Sequence, residues 1–218
     1  MWSKDLTREQ YLKLPKEERF LKLSKIEEER AEELQEKCMT IDLHTHTWNR
    51  YEGYMDSEAI RNSGLTCFFE NLGGRIVAFQ RLVQEDCSFA LEQIGRVSSI
   101  ISKNPELLRA TKSEDIIRAK KEKKHACILG LEVIPVANHI GIVDQLYGMG
   151  VREIGLTYNT RNFIGDGCTE RTNSGLSQFG LDVVSRMNEL GMLVDLSHAG
   201  VATTLEAIEA SKEPVTLS

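Results

Sequence analysis

Two histidines one residue apart, His44 and His46, stand in the run IDLHTHTW at residues 41–48. If this run is a strand, alternate side chains point to the same face, so both imidazoles face one side together with Asp42. Imidazole nitrogens are common ligands of zinc and related divalent ions. The spacing alone does not decide between a metal-binding pair and two polar residues that close a strand.

Other polar side chains end later apolar runs of the chain. Glu132 ends ACILGLE, Tyr158 and Asn159 end REIGLTYN, and His198 ends MLVDLSH. Three histidines and a glutamate have the composition of a zinc or related divalent site. Each member also has a structural alternative: Glu132 as an acid at a helix start, His198 as a residue near a helix cap.

The elements that must position these side chains alternate between strands and helices. Near-continuous apolar runs separated by helical patterns predict a parallel sheet covered on both faces. The predicted strands are IDLHTH (41–46), LTCFFENL (65–72), ACILGLE (126–132), REIGLTYN (152–159), MLVDLSH (192–198) and PVTLS (214–218). The predicted helices cover residues 76–102, 113–124, the segment IVDQLYGMG, LSQFGLDVVSRMNELG and residues 201–210.

Two α/β architectures fit this alternation, a doubly wound open sheet and a (β/α)8 TIM barrel. No glycine-rich nucleotide-binding motif follows any predicted strand, which counts against the first. A barrel turns the carboxyl end of every strand toward one mouth, where the polar residues then meet. The sequence therefore predicts an incomplete (β/α)8 barrel of about six strands over residues 40–218, given the ~250 residues of a full barrel.

Residues 1–39 are predicted to form a charged helical extension before the barrel domain. Thr7-Arg8-Glu9-Gln10 matches a capping box, and Pro15 suits the first turn of a second helix running to Lys37. Such a charge-laced helix is typical of a solvated face held by a few leucines.

Composition excludes several classes of function. The net charge of −6 and the pI near 5.5 argue against binding to nucleic acid backbones. No window approaches the ~20 apolar residues of a membrane span, and the N-terminus lacks a signal-peptide core. We therefore expect a cytoplasmic protein that binds neither nucleic acid nor membrane. The five cysteines form no C-x-x-C pair, which favours reduced thiols.

The chain from about residue 40 onward resembles the membrane (renal) dipeptidases, a family of binuclear zinc (β/α)8-barrel metallopeptidases. The resemblance is carried by ILGLE, by GVREIGLTYNTRN, and above all by GLSQFGLDVVSRMNELGMLVDLSHAGVATTLEAIEASKEPV at residues 175–215. It implies a metal-dependent hydrolase that cleaves the peptide bond of dipeptides by metal-bound hydroxide.

The resemblance also implies roles for individual residues. His44 and His46 would bind the first zinc ion, Glu132 would bridge the two ions, and His198 would bind the second. A carboxylate suits the bridging role because its two oxygens can serve two cations about 3.5 Å apart. Tyr158 stands where many members of the family have a histidine that is proposed to stabilise the oxyanion. Tyr158 and Asn159 are accordingly the candidate substrate-binding residues.

The chain departs from the family pattern in two places. Where the family usually has aspartate, this sequence has His46, which removes one negative charge from the first metal and implies a more Lewis-acidic ion or another metal preference. The family continues from the sixth strand into Ser-His and two further strands, whereas this sequence ends at Ser218. We therefore expect a truncated chain that lacks its C-terminal half. The alternative is a chain that another subunit completes, including a second copy in a homo-oligomer.

Two other functions stay open. DLHTHT also resembles the opening motif of phosphoesterases of the polymerase-and-histidinol-phosphatase type, although those proteins tend to continue into Ser-Asp-Gly and this one reads WNRYEG. The other alternative is a non-catalytic metal-binding fragment of the dipeptidase. Assays on dipeptides and on phosphate monoesters distinguish the first alternative, and metal analysis combined with a dipeptide assay distinguishes the second.

Overall fold

The computed structural model describes residues 13–15, 23–47, 60, 63–73, 87–135 and 139–218. In these ranges short strands alternate with helices. In chain order the elements are α1 (Lys25–Lys37), β1 (Ile41–Thr45), β2 (Cys67–Leu72), α2 (Cys87–Lys103), β3 (Leu107–Arg109), α3 (Ser113–Glu122), β4 (His125–Leu131), α4 (Gly141–Gly148), β5 (Val151–Gly155), α5 (Gln178–Leu190), β6 (Leu193–Asp195), α6 (Val201–Ala210) and β7 (Val215–Thr216).

The strands form one parallel sheet in the order β1-β2-β4-β5-β6-β7, and β3 pairs with the first residues of β4. Each of these main strands lies beside the next one along the chain, without the reversal of order that defines a doubly wound sheet. This sequential arrangement is an arc of a (β/α)8 barrel and confirms the predicted incomplete barrel. The short strand β3 was missed because a run of three residues carries too little periodicity.

The two faces of the sheet differ in what they bury. Phe68, Leu129, Ile154 and Val194 belong to a large apolar core that also includes residues of the helices. The residues that alternate with them point to the other face, where apolar side chains near the strand starts give way to polar ones near the carboxyl ends. Buried Glu153 is one such residue, on β5. The chain therefore places polar chemistry at one end of an otherwise apolar sheet.

Two predicted strands are shorter than their apolar runs. The run at 152–159 ends as a strand at Gly155, and the run at 192–198 ends at Asp195. Asn159 and His198 adopt positive φ angles of 59° and 63°, which an extended strand does not allow. The polar ends of both runs therefore lie in loops above the strands.

The N-terminal extension differs from the prediction in where its helix begins. Ser24 is extended and forms a capping box with Glu27, so α1 begins at Lys25 and does not run on from Pro15. No residue of α1 is buried, as the charge pattern predicts. The predicted capping box at residues 7–10 and the predicted helical residues 76–86 lie outside the described ranges. Within those ranges no helix has the length and apolar character of a membrane span.

Candidate metal centre

The two histidines of the first strand converge at its carboxyl end. His44 lies in β1, and His46 is the first residue after the strand ends at Thr45. Their Nε2 atoms are 3.1 Å apart, and the rings meet edge to face with centroids separated by 4.8 Å. Both side chains are about a quarter exposed, at 26%. The sequence prediction that the two imidazoles face the same side is therefore confirmed.

Glu132 joins the histidine pair from the loop that follows β4. Its Oε1 lies 3.1 Å from His46 Nε2 and 3.9 Å from His44 Nε2. The residue is 6% exposed, and its Oε2 is buried without a hydrogen-bond donor in the described part of the chain. A Cβ at Gly73 would overlap Oε2, so the glycine leaves room for this oxygen. An orphaned carboxylate oxygen in such a setting suits a cation.

The outer nitrogens of both imidazoles contact Asn71 at the end of β2. His46 Nδ1 donates to the backbone oxygen of Asn71 over 2.8 Å, which directs His46 Nε2 toward the cluster. The amide Nδ2 of Asn71 lies 2.7 Å from His44 Nδ1, and the hydroxyl of Ser218 lies 2.8 Å from the same nitrogen. Contacts of this kind orient histidine ligands in metal sites.

The turn after the histidines is fixed by a buried glutamate. Glu70, 1% exposed, accepts a hydrogen bond from the backbone nitrogen of Thr47 at 2.9 Å. The hydroxyl of Thr45 donates to the backbone oxygen of Phe69 on the neighbouring strand. These bonds hold the backbone on both sides of His46.

The two histidines differ in basicity because their surroundings differ. The hydrogen bond that His46 donates to Glu132 is the main cause that raises the pKa of His46 to about 9, against the opposing effect of burial. The pKa of His44 is lowered from its ordinary value, chiefly by burial and by the adjacent His46. In the metal-free protein, His46 therefore carries a proton at neutral pH, and a cation binding there would have to displace it.

His198 lies at the same end of the sheet but outside the cluster of His44, His46 and Glu132. It is exposed, its Nδ1 is 2.9 Å from Asn159 Oδ1, and its ring stacks on Tyr158 with centroids 4.2 Å apart. The Asn159 side chain thus contacts His198, and its backbone oxygen accepts from Thr169. The structure accordingly groups the predicted residues into one tight triad and one neighbouring trio.

Four polar residues near the triad were not predicted from the sequence: Glu70, Asn71, Glu153 and Ser218. A signal for two of them was present, because the apolar run LTCFFENL carries a Glu and an Asn, and its strand Cys67–Leu72 is buried throughout. A glutamate in the apolar run REIGL was a similar signal for Glu153. Buried polar residues in parallel strands need partners, and those partners identify the site.

The geometry of the triad fits a divalent metal ion. Two ligand atoms of a four-coordinate zinc with bonds of about 2.0–2.1 Å lie roughly 3.3 Å apart. The observed separations are 3.1, 3.1 and 3.9 Å. A parallel barrel arc with a His-His-Glu cluster at the carboxyl ends of its strands defines the class of (β/α)8-barrel proteins with a catalytic-type metal centre.

Comparison with known proteins identifies the family within that class. The chain belongs to the membrane dipeptidase family (peptidase family M19), which matches residues 28–218.

Similar proteins include dipeptidase verJ of Clonostachys rogersoniana, 33% identical over 138 residues, covering 62% of this chain and 36% of that protein. Dipeptidase 3 of Rattus norvegicus is 29% identical over 191 residues, covering 84% of this chain and 37% of its own length. Among solved structures, an amidohydrolase from Pseudomonas aeruginosa superposes with a TM-score of 0.73 at 32% identity, over 84% of this chain and 53% of that one. The chain thus spans little more than a third of these curated relatives.

Proposed function

We propose that this chain carries the first-metal half of a metal-dependent dipeptidase active site. The observation that carries the proposal is the triad of His44, His46 and Glu132, in which a buried carboxylate oxygen lacks a donor among the described residues. Family membership supplies the reaction class, the hydrolysis of dipeptides. The chain spans little more than a third of the length of these curated relatives, so dipeptide hydrolysis by this chain is part of the proposal.

The triad would hold the first ion through the Nε2 atoms of His44 and His46 and through Glu132 Oε1. Glu132 Oε2 would serve a second ion, for which His198 is the further ligand in this chain. Zinc is the metal we propose, because imidazole and carboxylate donors at these separations suit its tetrahedral preference. When bound, divalent ions would polarise the scissile carbonyl and lower the pKa of the attacking water.

The protein's own residues would orient the reacting groups. Glu132 is fixed by its burial and by the glycine that faces its Oε2, so its carboxylate keeps one position. Tyr158 would donate a hydrogen bond to the oxyanion, and Asn159 would support it by holding His198 against the Tyr158 ring. Each of these groups lies near the carboxyl ends of the strands, where barrel chemistry is located.

His46 in place of the family's usual aspartate would change the charge of the first ion's ligands. A neutral imidazole removes one negative charge, so we propose a more Lewis-acidic ion or a different metal preference. The variant His46→Asp tests this after reconstitution with zinc, manganese or cobalt. Indistinguishable metal content and hydrolysis in the variant and the wild type would contradict it.

The reaction itself is tested with dipeptides and phosphate monoesters offered to the zinc-reconstituted protein. We expect amino acid release that is lost in Glu132→Gln and kept in Glu209→Gln, an exposed glutamate on α6. Phosphate release without amino acid release would favour the phosphoesterase alternative. One metal per chain without turnover of either substrate would favour the non-catalytic metal-binding fragment. The cytoplasmic location and the absence of nucleic acid and membrane partners stay predictions from the sequence.

A further inference from the structure

Three residues on neighbouring strands next to the metal cluster form what we call the polar row: Asn71, Gly130 and Glu153. The strand register pairs Asn71 on β2 with Gly130 on β4, and Gly130 with Glu153 on β5. A Cβ at position 130 would overlap Asn71 Oδ1 and lie 2.7 Å from Glu153 Oε2. The side chains of Asn71 and Glu153 can therefore meet across two strand spacings only because the residue between them is glycine.

The row has more acceptors than donors in the orientation that the structure shows. Asn71 Oδ1 and both carboxylate oxygens of Glu153 are buried without a hydrogen-bond donor in the described ranges. Glu153 is fully buried, and Asn71 is 3% exposed, so solvent does not replace the missing donors. Such a set of orphaned acceptors calls for an explanation in the function of the site.

When Glu153 is ionised, rotation of the Asn71 amide by half a turn resolves the mismatch. The rotation exchanges the amide oxygen and nitrogen, so that Nδ2 faces Glu153 and can donate to its carboxylate. The amide oxygen then accepts the proton of His44 Nδ1, the atom that now lies 2.7 Å from Asn71 Nδ2. Neutral imidazole carries one proton, so placing it on Nδ1 leaves the lone pair of His44 Nε2 free for a metal ion.

The opposite orientation has the opposite effect on His44. An amide nitrogen that donates to Nδ1 requires the imidazole proton to sit on Nε2, the atom that faces Glu132 and His46. A protonated Nε2 cannot bind a cation. The direction of one buried amide therefore decides whether His44 is ready to bind metal.

We propose that Asn71 and Glu153 are positioning residues that fix the metal-binding tautomer of His44. The Glu153 carboxylate holds the Asn71 amide in the rotated orientation, and the amide oxygen holds the His44 Nδ1 proton. This proposal rests on the proposed metal site. Burial and the nearby Asp195 raise the pKa of Glu153 to about 8 even though the Asn71 amide lowers it, so Glu153 plays this part when it is ionised, above about pH 8.

Zinc affinity of the full chain at pH 9, where Glu153 is ionised, tests the proposal and is measured by competition with a chromophoric chelator. We expect Glu153→Gln and Asn71→Leu each to weaken binding roughly 10–100-fold, the usual effect of losing a partner of a histidine ligand. Glu209→Gln, at an exposed glutamate on α6, is the matched control and should bind zinc as tightly as wild type. Ser218→Ala removes the other contact of His44 Nδ1 and should weaken binding less than Asn71→Leu, because that hydroxyl contact is exposed.

A second measurement separates tautomer control from general loss of structure. In zinc-loaded protein with ¹⁵N-labelled histidine, the Nδ1–H resonance of His44 should be protected in wild type and Ser218→Ala and lost in Asn71→Leu. Asn71→Asp should weaken binding by itself, because it sets two carboxylates together. In the Glu153→Gln background it should restore binding, since its carboxylate accepts the His44 proton without help.

The outcomes separate this proposal from the metal site on which it rests. Zinc affinity of Glu153→Gln within twofold of wild type would overturn the role of Asn71 and Glu153 alone. Equal losses in Ser218→Ala and Asn71→Leu would do the same, because the hydroxyl would then be the group that holds Nδ1. If Glu132→Gln binds zinc as tightly as the wild type does, the proposed metal site itself is overturned.

Discussion

Glu153 offers the sharpest test of the electrostatics inside the sheet. Its carboxyl is fully buried, and burial together with Asp195 raises its pKa to about 8 from an ordinary value of 4.5. Because the pKa is higher in the folded state, folding favours the protonated form. The resulting stability is fully present below pH 4.5 and is lost as the pH rises through about 8.

The size of the effect follows from those two pKa values. Each pKa unit corresponds to about 1.4 kcal/mol, so ionisation of Glu153 should cost roughly 4 kcal/mol of unfolding free energy between pH 5 and pH 9. Glu153→Gln removes the ionisable group and should remove this loss. The variant should therefore gain stability relative to wild type as the pH rises, although we expect it to bind zinc less tightly.

Urea unfolding of the metal-free protein at pH 5, 7 and 9 measures the difference directly. The contribution of His46, whose pKa is also raised, is common to wild type and variant and cancels in the comparison. Glu209→Gln, at an exposed position, should follow the wild-type curve. Parallel pH dependences for wild type and Glu153→Gln would refute the reasoning that the buried carboxyl is held in its protonated form.

Three further predictions concern the site and the loop beside it. Gly73→Ala should weaken zinc binding because its Cβ would overlap Glu132 Oε2, whereas Gly148→Ala, with open space around it, should not; chelator competition on both variants checks this. Apparent zinc affinity should rise about tenfold per pH unit up to about pH 9, because the ion must displace the His46 proton. An affinity that does not change between pH 7 and pH 9 would contradict a protonated His46. Asp166→Ala should speed proteolysis within residues 160–176, because buried Asp166 accepts several bonds that hold this loop; unchanged cleavage there would contradict that role.

Much of the fold follows from local patterns that the sequence displays. The apolar runs, the helical segments and the absence of nucleotide-binding glycines together predict a barrel arc, and the strand order confirms it. Helix starts are predicted only where the cap is recognised. Ser24 and Glu27 form a capping box like the one predicted at residues 7–10, yet the predicted helix from Pro15 to Lys37 runs through this position without a break.

The candidate site could be predicted as a set of residues but not as an arrangement. The positions of His44, His46 and Glu132 at strand ends are visible in the sequence, and the structure brings them together. His198 lies outside that cluster, in a loop where it has a positive φ angle that no pattern of residue types reveals. The row from Asn71 to Glu153 depends on strand register, which arises from long-range pairing.

Diffraction from zinc-soaked crystals at the zinc absorption edge tests the metal centre most directly. We predict an anomalous peak about 2.0–2.2 Å from His44 Nε2, His46 Nε2 and Glu132 Oε1, the bond lengths that zinc forms with such ligands. The same peak should be absent in Glu132→Gln. A zinc ion bound elsewhere on the chain, with no peak among these three side chains, would contradict the assignment of this cluster as the metal site.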